Sequence, residues 1–280
     1  MKMRRIDAHQ HYWSLQRDDY GWITPELPVL YRNYLPDDLE PHLQDHQIDG
    51  TIVVQAAATL AETDYMLELA ASTERILGVV GWLDVLAPDY QEQLARFQQH
   101  PKFVGVRIMI QEMEDSDEVL TPGYFHAMKY FAEIGLPVDL LCKSTQLHSV
   151  VELLRIVPDL HAVIDHIAKP QIAAQVYEPW KSQMAEIASN PHIYCKLSGM
   201  VTEADHQAWK REQITEYIQH AINLFGKERI MFGSDWPVCL LAADYDEVIQ
   251  LLEQSLDTSF TEEDRAKLFG SNAASFYRLT

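Results

Sequence analysis

Six side chains able to do acid–base or metal chemistry stand at three distant points of the chain: Asp7, His9 and His11 in DAHQH, Asp165 and His166 in DH, and Asp235 in GSDWP. Residues two apart on an extended strand share a face, so the first group is read with Asp7, His9 and His11 pointing together. Alone, such a pair of histidines is as often packing as chemistry. With His166 and Asp235 it makes three imidazoles and a carboxylate. Two imidazoles and a carboxylate, His9, His11 and Asp235, form a zinc set, and catalytic zinc keeps three protein ligands and a water. Asp235 beside imidazoles can also deprotonate a water, while His9, His11 and His166 polarise a carbonyl without any ion. Both readings stay open at this stage.

Other polar residues interrupt apolar runs. Arg107 in VGVRIM would carry a large desolvation cost unless it meets a partner, either substrate or a carboxylate such as Asp139 or Asp84. Asp84 and Lys143 follow strand-like runs, and Trp13, Trp82 and Trp236 offer flat apolar faces suited to a sugar ring. The substrate-binding set is therefore read as Trp13, Trp82, Asp84, Arg107, Lys143 and Trp236. The remaining histidines fall in helices or connections, and His161 starts a strand; these read as structural.

What must position these groups is legible in the alternation of the chain. Short β-rich runs recur at 4–9, 50–56, 76–82, 103–109, 137–142, 161–166, 193–198 and 230–235, each followed by a helix-like segment such as AETDYMLELAAS or PDYQEQLARFQQH. Strands apolar on both faces suit a parallel sheet covered by helices. Eight such units predict one (β/α)8 barrel domain over 1–280, with an open doubly wound sheet as the alternative. Barrel chemistry sits at the C-terminal ends of the strands, and His9, His11, His166 and Asp235 all fall there. Two departures stand out. Residues 12–37, crowded with aromatics and prolines, predict an ordered loop over one barrel mouth. The tail holds one helix more than the barrel needs, which predicts a seal for one end or a homo-oligomer contact.

Composition narrows the classes. Twenty-two basic against 42 acidic residues leave a net charge of −20, which argues against nucleic-acid or anionic-membrane binding. Cys142, Cys195 and Cys239 form no CxxC pair and, with no apolar leader in MKMRRIDAHQHYW, are read as reduced thiols of a cytoplasmic protein. GxGxxG, a P-loop, HExxH and GxSxG are all absent from the sequence.

The motifs DAHQHYW, RNYLP, VVQA, VVGWLD, GVRIMIQ, DHIAKP, KLSGMVTEAD and FGSDWPV together resemble the amidohydrolase superfamily, and within it the sugar-lactone hydrolase branch that includes L-fuconolactonase and L-rhamnonolactonase. The resemblance runs from residue 5 to the end. It implies hydrolysis of a sugar lactone, such as L-fuconolactone or a related aldonolactone, in carbohydrate metabolism of the L-fucose type. His9, His11, His166 and Asp235 take the family's functional positions. Binuclear members use a modified strand-four lysine and a strand-five histidine; here Arg107 and VDLLC stand in those strands, which implies one divalent ion, zinc first, rather than a bridged pair. The branch also includes lactonases that work without a metal. An amidohydrolase-like decarboxylase or other ester hydrolase, and a noncatalytic sugar-binding barrel, are the alternatives.

Overall fold

A computed structural model describes residues 4–279; the first three residues of the leader reading lie outside them. Eight parallel strands pair in chain order: β1 (Ile6–Gln10), β2 (Gly50–Val54), β3 (Ile76–Gly81), β4 (Phe103–Met109), β5 (Val138–Leu141), β6 (Ala162–Ile164), β7 (Ile193–Leu197) and β8 (Ile230–Phe232). The last seam, between β8 and β1, is bridged beyond the strand end. His11 N donates to Trp236 O at 2.7 Å, and Asp235 N donates to His9 O at 2.8 Å. The seam thus ties together the two chain segments that carry the histidine pair and Asp235.

Outside the strands lie α1 (Pro36–Asp45), α2 (Leu60–Ser72), α3 (Tyr90–Phe97), α4 (Pro122–Ile134), α5 (Leu147–Ile156), α6 (Trp180–Ala188), α7 (Arg211–Phe225) and α8 (Tyr245–Ser255). Their apolar faces and the outer faces of the strands form one large core. A smaller cluster, including Ile6, Ala8, Ile52, Val80, Val163 and Met231, fills the inside of the barrel. The tail plugs it from below: after α9 (Glu262–Ala266) and a π turn, α10 (Asn272–Phe276) brings Phe276 and Tyr277 into that cluster. Asn272 also donates to Ile230 O at the start of β8, at 2.7 Å. Of the two expectations for the extra helix, sealing the barrel is the one seen.

The aromatic insertion is ordered without being regular. Trp13 and Tyr34 pair as an antiparallel bridge that closes its base, and Trp13, Tyr20, Ile23 and Leu30 are buried within it. Its tip is fastened to α2. The Tyr20 hydroxyl donates to Glu62 Oε2 at 2.6 Å, Ala56 N donates to Oε1 at 2.9 Å, and Arg17 lies 3.4 Å from the same carboxylate. Trp22 Nε1 donates to Ala56 O at 2.8 Å, which fixes the indole beside the barrel mouth.

Burial pushes the Glu62 carboxyl up to about 7, against the lowering effect of Tyr20, Ala56 and Arg17. A carboxyl raised on folding binds its proton more tightly in the folded chain, so its contribution is best below about 4.5 and declines as pH climbs to about 7. Wild type should lose stability relative to Glu62→Gln across that window, at up to about 1.4 kcal/mol per pH unit. Denaturant unfolding of both proteins at pH 5 and pH 7.5 measures it. Parallel pH profiles would refute the assignment.

Candidate active site

The C-terminal ends of β1, β6 and β8 bring their polar residues to one place. His11 Nε2 and His9 Nε2 lie 3.3 Å apart, and Asp235 Oδ1 is 3.3 Å from the first and 3.8 Å from the second. His166 Nε2 is 3.8 Å from the same oxygen. All three imidazoles therefore converge on Oδ1.

Asp7 departs from the period-two expectation. It faces outward, where its carboxylate accepts from Tyr245 of α8 at 3.1 Å, from Ser234 N at 2.9 Å and from His9 N at 3.1 Å. The register between β1 and β2 shifts between Asp7 and Gln10, and this irregularity turns His9 and His11 inward while Asp7 braces the backbone from behind.

Ring orientation is set by the opposite nitrogens. His11 Nδ1 meets Val54 O at 2.7 Å, an acceptor, so its proton sits on Nδ1 and the Nε2 lone pair points into the cluster. His9 Nδ1 lies 3.1 Å from the Lys196 ammonium and 3.3 Å from Asp165 Oδ1. His166 Nδ1 meets Ser198 Oγ at 2.8 Å. Burial pushes the His9 imidazole well below its ordinary value, and repulsion from Lys196 adds to that. Burial does the same to His166, against the pull of Asp235. Both are neutral ligands or acceptors near pH 7. The Asp235 carboxyl stays below its ordinary value although burial opposes it, because it faces His166 and His11.

His166 reaches this position through an unusual backbone. His166, Ile167, Ala168 and Lys169 all have positive φ, between 45° and 59°, and Asp235 has φ 58°. Left-handed conformations cost non-glycine residues about 1–3 kcal/mol each, and they persist where tertiary contacts overdetermine them. Trp180 supplies one such contact, donating to Ile167 O at 2.7 Å. Nothing in DHIAKP signals this turn, since it contains no glycine.

A cavity of about 200 Å³ opens over the cluster. His11, His166 and Asp235 form its floor, and Arg107, Lys169, Gln111 and Trp22 stand around it. Arg107 partners Asp165 at 3.5 Å and the carbonyl of Gln55, not Asp139 or Asp84; its Nε, like Gln111 Oε1, is buried without a protein partner. Several expected contacts lie elsewhere. Trp13 is sealed in the insertion against Trp22 and Tyr34, and Trp236 packs edge-on to Tyr12 and Tyr34, because both indoles serve the aromatic core beside the seam. Lys143 is exposed and outside the cavity lining, while Lys169 takes the cationic place. Trp82 and Asp84 line a neighbouring hollow of about 320 Å³ that shares Arg107, Met109 and Glu112 with the first. Trp22, Gln111 and Lys169 were not read from sequence; only the aromatic density of 12–37 hinted at the first of them.

The donor set fits a divalent ion. A point equidistant from His9 Nε2, His11 Nε2 and Asp235 Oδ1 lies about 2 Å from each, the length of a zinc bond to nitrogen or oxygen.

The amidohydrolase family model matches residues 6–279. The chain belongs to the amidohydrolase family. It is 38% identical, over 98% of its length and 96% of the relative's, to L-fucono-1,5-lactonase of Burkholderia ambifaria, and 37% identical over the same shares to the L-fucono-1,5-lactonase of Burkholderia multivorans. An amidohydrolase structure from Burkholderia multivorans with bound zinc superposes with a TM-score of 0.94 at 37% identity, covering 99% of this chain and 100% of that one. Among the described residues, no helix is long and apolar enough to cross a membrane.

The amidohydrolase site depends on a glycine behind His166. Gly199 has φ +61°, and a Cβ there would stand 2.5 Å from His166 Nδ1; Gly135 is left-handed too, with φ 63° and ψ 34°, and a Cβ there would meet only the movable end of Arg278. Gly135→Ala should cost about 1 kcal/mol from backbone strain, and Gly199→Ala at least about 2 kcal/mol because the clash is added. Equal losses in thermal unfolding would show that the close approach to His166 carries no weight.

Proposed function

We propose that this amidohydrolase opens a sugar-derived lactone, of the L-fuconolactone or related aldonolactone class, to the aldonic acid. The reading includes one domain over 1–280 and one divalent ion, zinc, held by His9, His11 and Asp235. The observation that carries it is the convergence of two imidazole nitrogens and one carboxylate oxygen beneath a ring-sized cavity. The family membership and the 38% identity to a fuconolactonase support the substrate class. A cytoplasmic setting belongs to the same reading, supported by the three buried free thiols.

Lactone hydrolysis needs a nucleophilic water, a place for charge on the carbonyl oxygen, and a proton for the departing ring oxygen. When bound, the ion acidifies water and polarises the carbonyl. Asp235 accepts a proton from the water as the water's oxygen bonds to the carbonyl carbon. The same proton passes to the ring oxygen when the carbon–oxygen bond of the ring breaks. His166, held by Ser198 and its left-handed turn, orients the ester. Arg107 and Gln111 line the cavity with polar side chains that suit ring hydroxyls, and the Trp22 indole covers the apolar side of the ring. Lys169, 3.8 Å from Glu203, stands at the rim.

Asp235→Asn keeps the size of the side chain and removes the base, so turnover should fall roughly 10²-fold or more. Near-parental turnover would sink that role. In steady-state assays L-fucono- and L-rhamnonolactones should be preferred over unsubstituted and acyl-chain lactones, because a site that bonds hydroxyls discriminates strongly against their loss. Equal kcat/KM across that panel would overturn the sugar assignment.

A further inference from the structure

Around His9 a second group of potential ligands comes together: His9, Asp165 and His166 have donor atoms within 4.8 Å of one another. Lys196 of β7 reaches into the same place. Its Nζ is 3.1 Å from His9 Nδ1, 3.1 Å from Asp165 Oδ1 and 2.5 Å from Asp139 Oδ2, and all four side chains are fully buried.

We infer that the Lys196 ammonium is a built-in cation that fills the second group of potential ligands, around His9, and limits the site to a single exchangeable metal. Charge balance carries the argument. Asp139 and Asp165 bring two negative charges into the barrel interior, and Lys196 and Arg107, the latter 3.5 Å from Asp165 Oδ2, bring two positive ones. The group is neutral as it stands, and a buried charge left unmatched is strongly unfavourable. A divalent ion added here would overcompensate and would meet an ammonium already within 3.1 Å of His9, Asp165 and Asp139. Remove the ammonium, and the carboxylates of Asp139 and Asp165, with only Arg107 left to balance them, face an interior space with net negative charge.

The ammonium is also clamped. Tyr277, from the tail that plugs the barrel, donates to Asp139 Oδ1 at 2.8 Å, so Asp139 holds Lys196 with its other oxygen. Lys196 is thereby a positioning residue: it acts on the metal count through Asp139, Asp165 and His9 without lining the cavity.

The inference rests on the single-ion reading proposed above, and metal counting separates the two. The full-length protein, stripped with chelator, is titrated with zinc or cobalt; bound equivalents are measured by equilibrium dialysis and elemental analysis, and cobalt absorbance reports each ligand field. Wild type should saturate at one equivalent even in large excess. Lys196→Met should take up a second equivalent, and Lys196→Met with Asp139→Asn should return to one. A second tight equivalent in wild type overturns the inference whatever the variants do. So does a folded Lys196→Met, judged by parental circular dichroism, that stops at one equivalent. Should Lys196→Met not fold, Lys196→Ala prepared with propylammonium replaces it, and the amine should compete with the second ion; no competition counts against the inference. Absence of the first equivalent from wild type would instead refute the single-ion reading itself.

Discussion

Charges buried at the strand ends must neutralise one another, and much of the architecture follows from that requirement. Asp165 has no well-directed hydrogen bond; it is held by Lys196 at 3.1 Å, His9 at 3.3 Å and Arg107 at 3.5 Å. Such a carboxylate survives burial only because three strands deliver cationic or N–H partners to it at once. β4 gives Arg107, β7 gives Lys196 and β1 gives His9. Shifting any of these strands by one residue would turn its polar group to the outer face and leave the others unmatched.

The two chain segments added to the barrel serve opposite ends of that cluster. The tail closes the bottom, and Tyr277 reaches Asp139 from there. The aromatic insertion walls the top, with Trp22 fixed by Ala56 O and the loop held by the buried Glu62. Between them the proposed chemistry has a dry floor and a polar, partly open mouth. The neutral imidazoles produced by burial suit a site that holds a cation rather than an anion.

Strain is concentrated where function is proposed. The left-handed run from His166 to Lys169 and the positive φ of Asp235 aim two of the converging side chains and one cavity cation. Gly199 makes room for the His166 ring, and Gly233 for His9, whose Cβ would lie 2.6 Å from a side chain added there. These backbone positions explain why KLSG and FGSD carry their glycines, something composition alone could not distinguish from loop flexibility.

The sequence by itself determined the eight βα units, the parallel order and the convergence of His9, His11, His166 and Asp235, because strand periodicity and strand-end position are local properties carried by residue type. It determined the aromatic insertion and the surplus helix as features, for the same reason. It did not determine which way Asp7 faces, since a register shift in β1 breaks the alternation from which its side was read. Nor did it determine which tryptophan meets the cavity: Trp13, Trp22 and Trp236 are alike in type, and only the fold of the insertion buries two and leaves the third at the mouth. The exchange of Lys143 for Lys169, and the pairing of Arg107 with Asp165 instead of Asp139, were decided by tertiary structure as well. A left-handed turn without glycine and a four-residue charge balance drawn from separate strands leave no local pattern, because each is stable only once all its partners are in place.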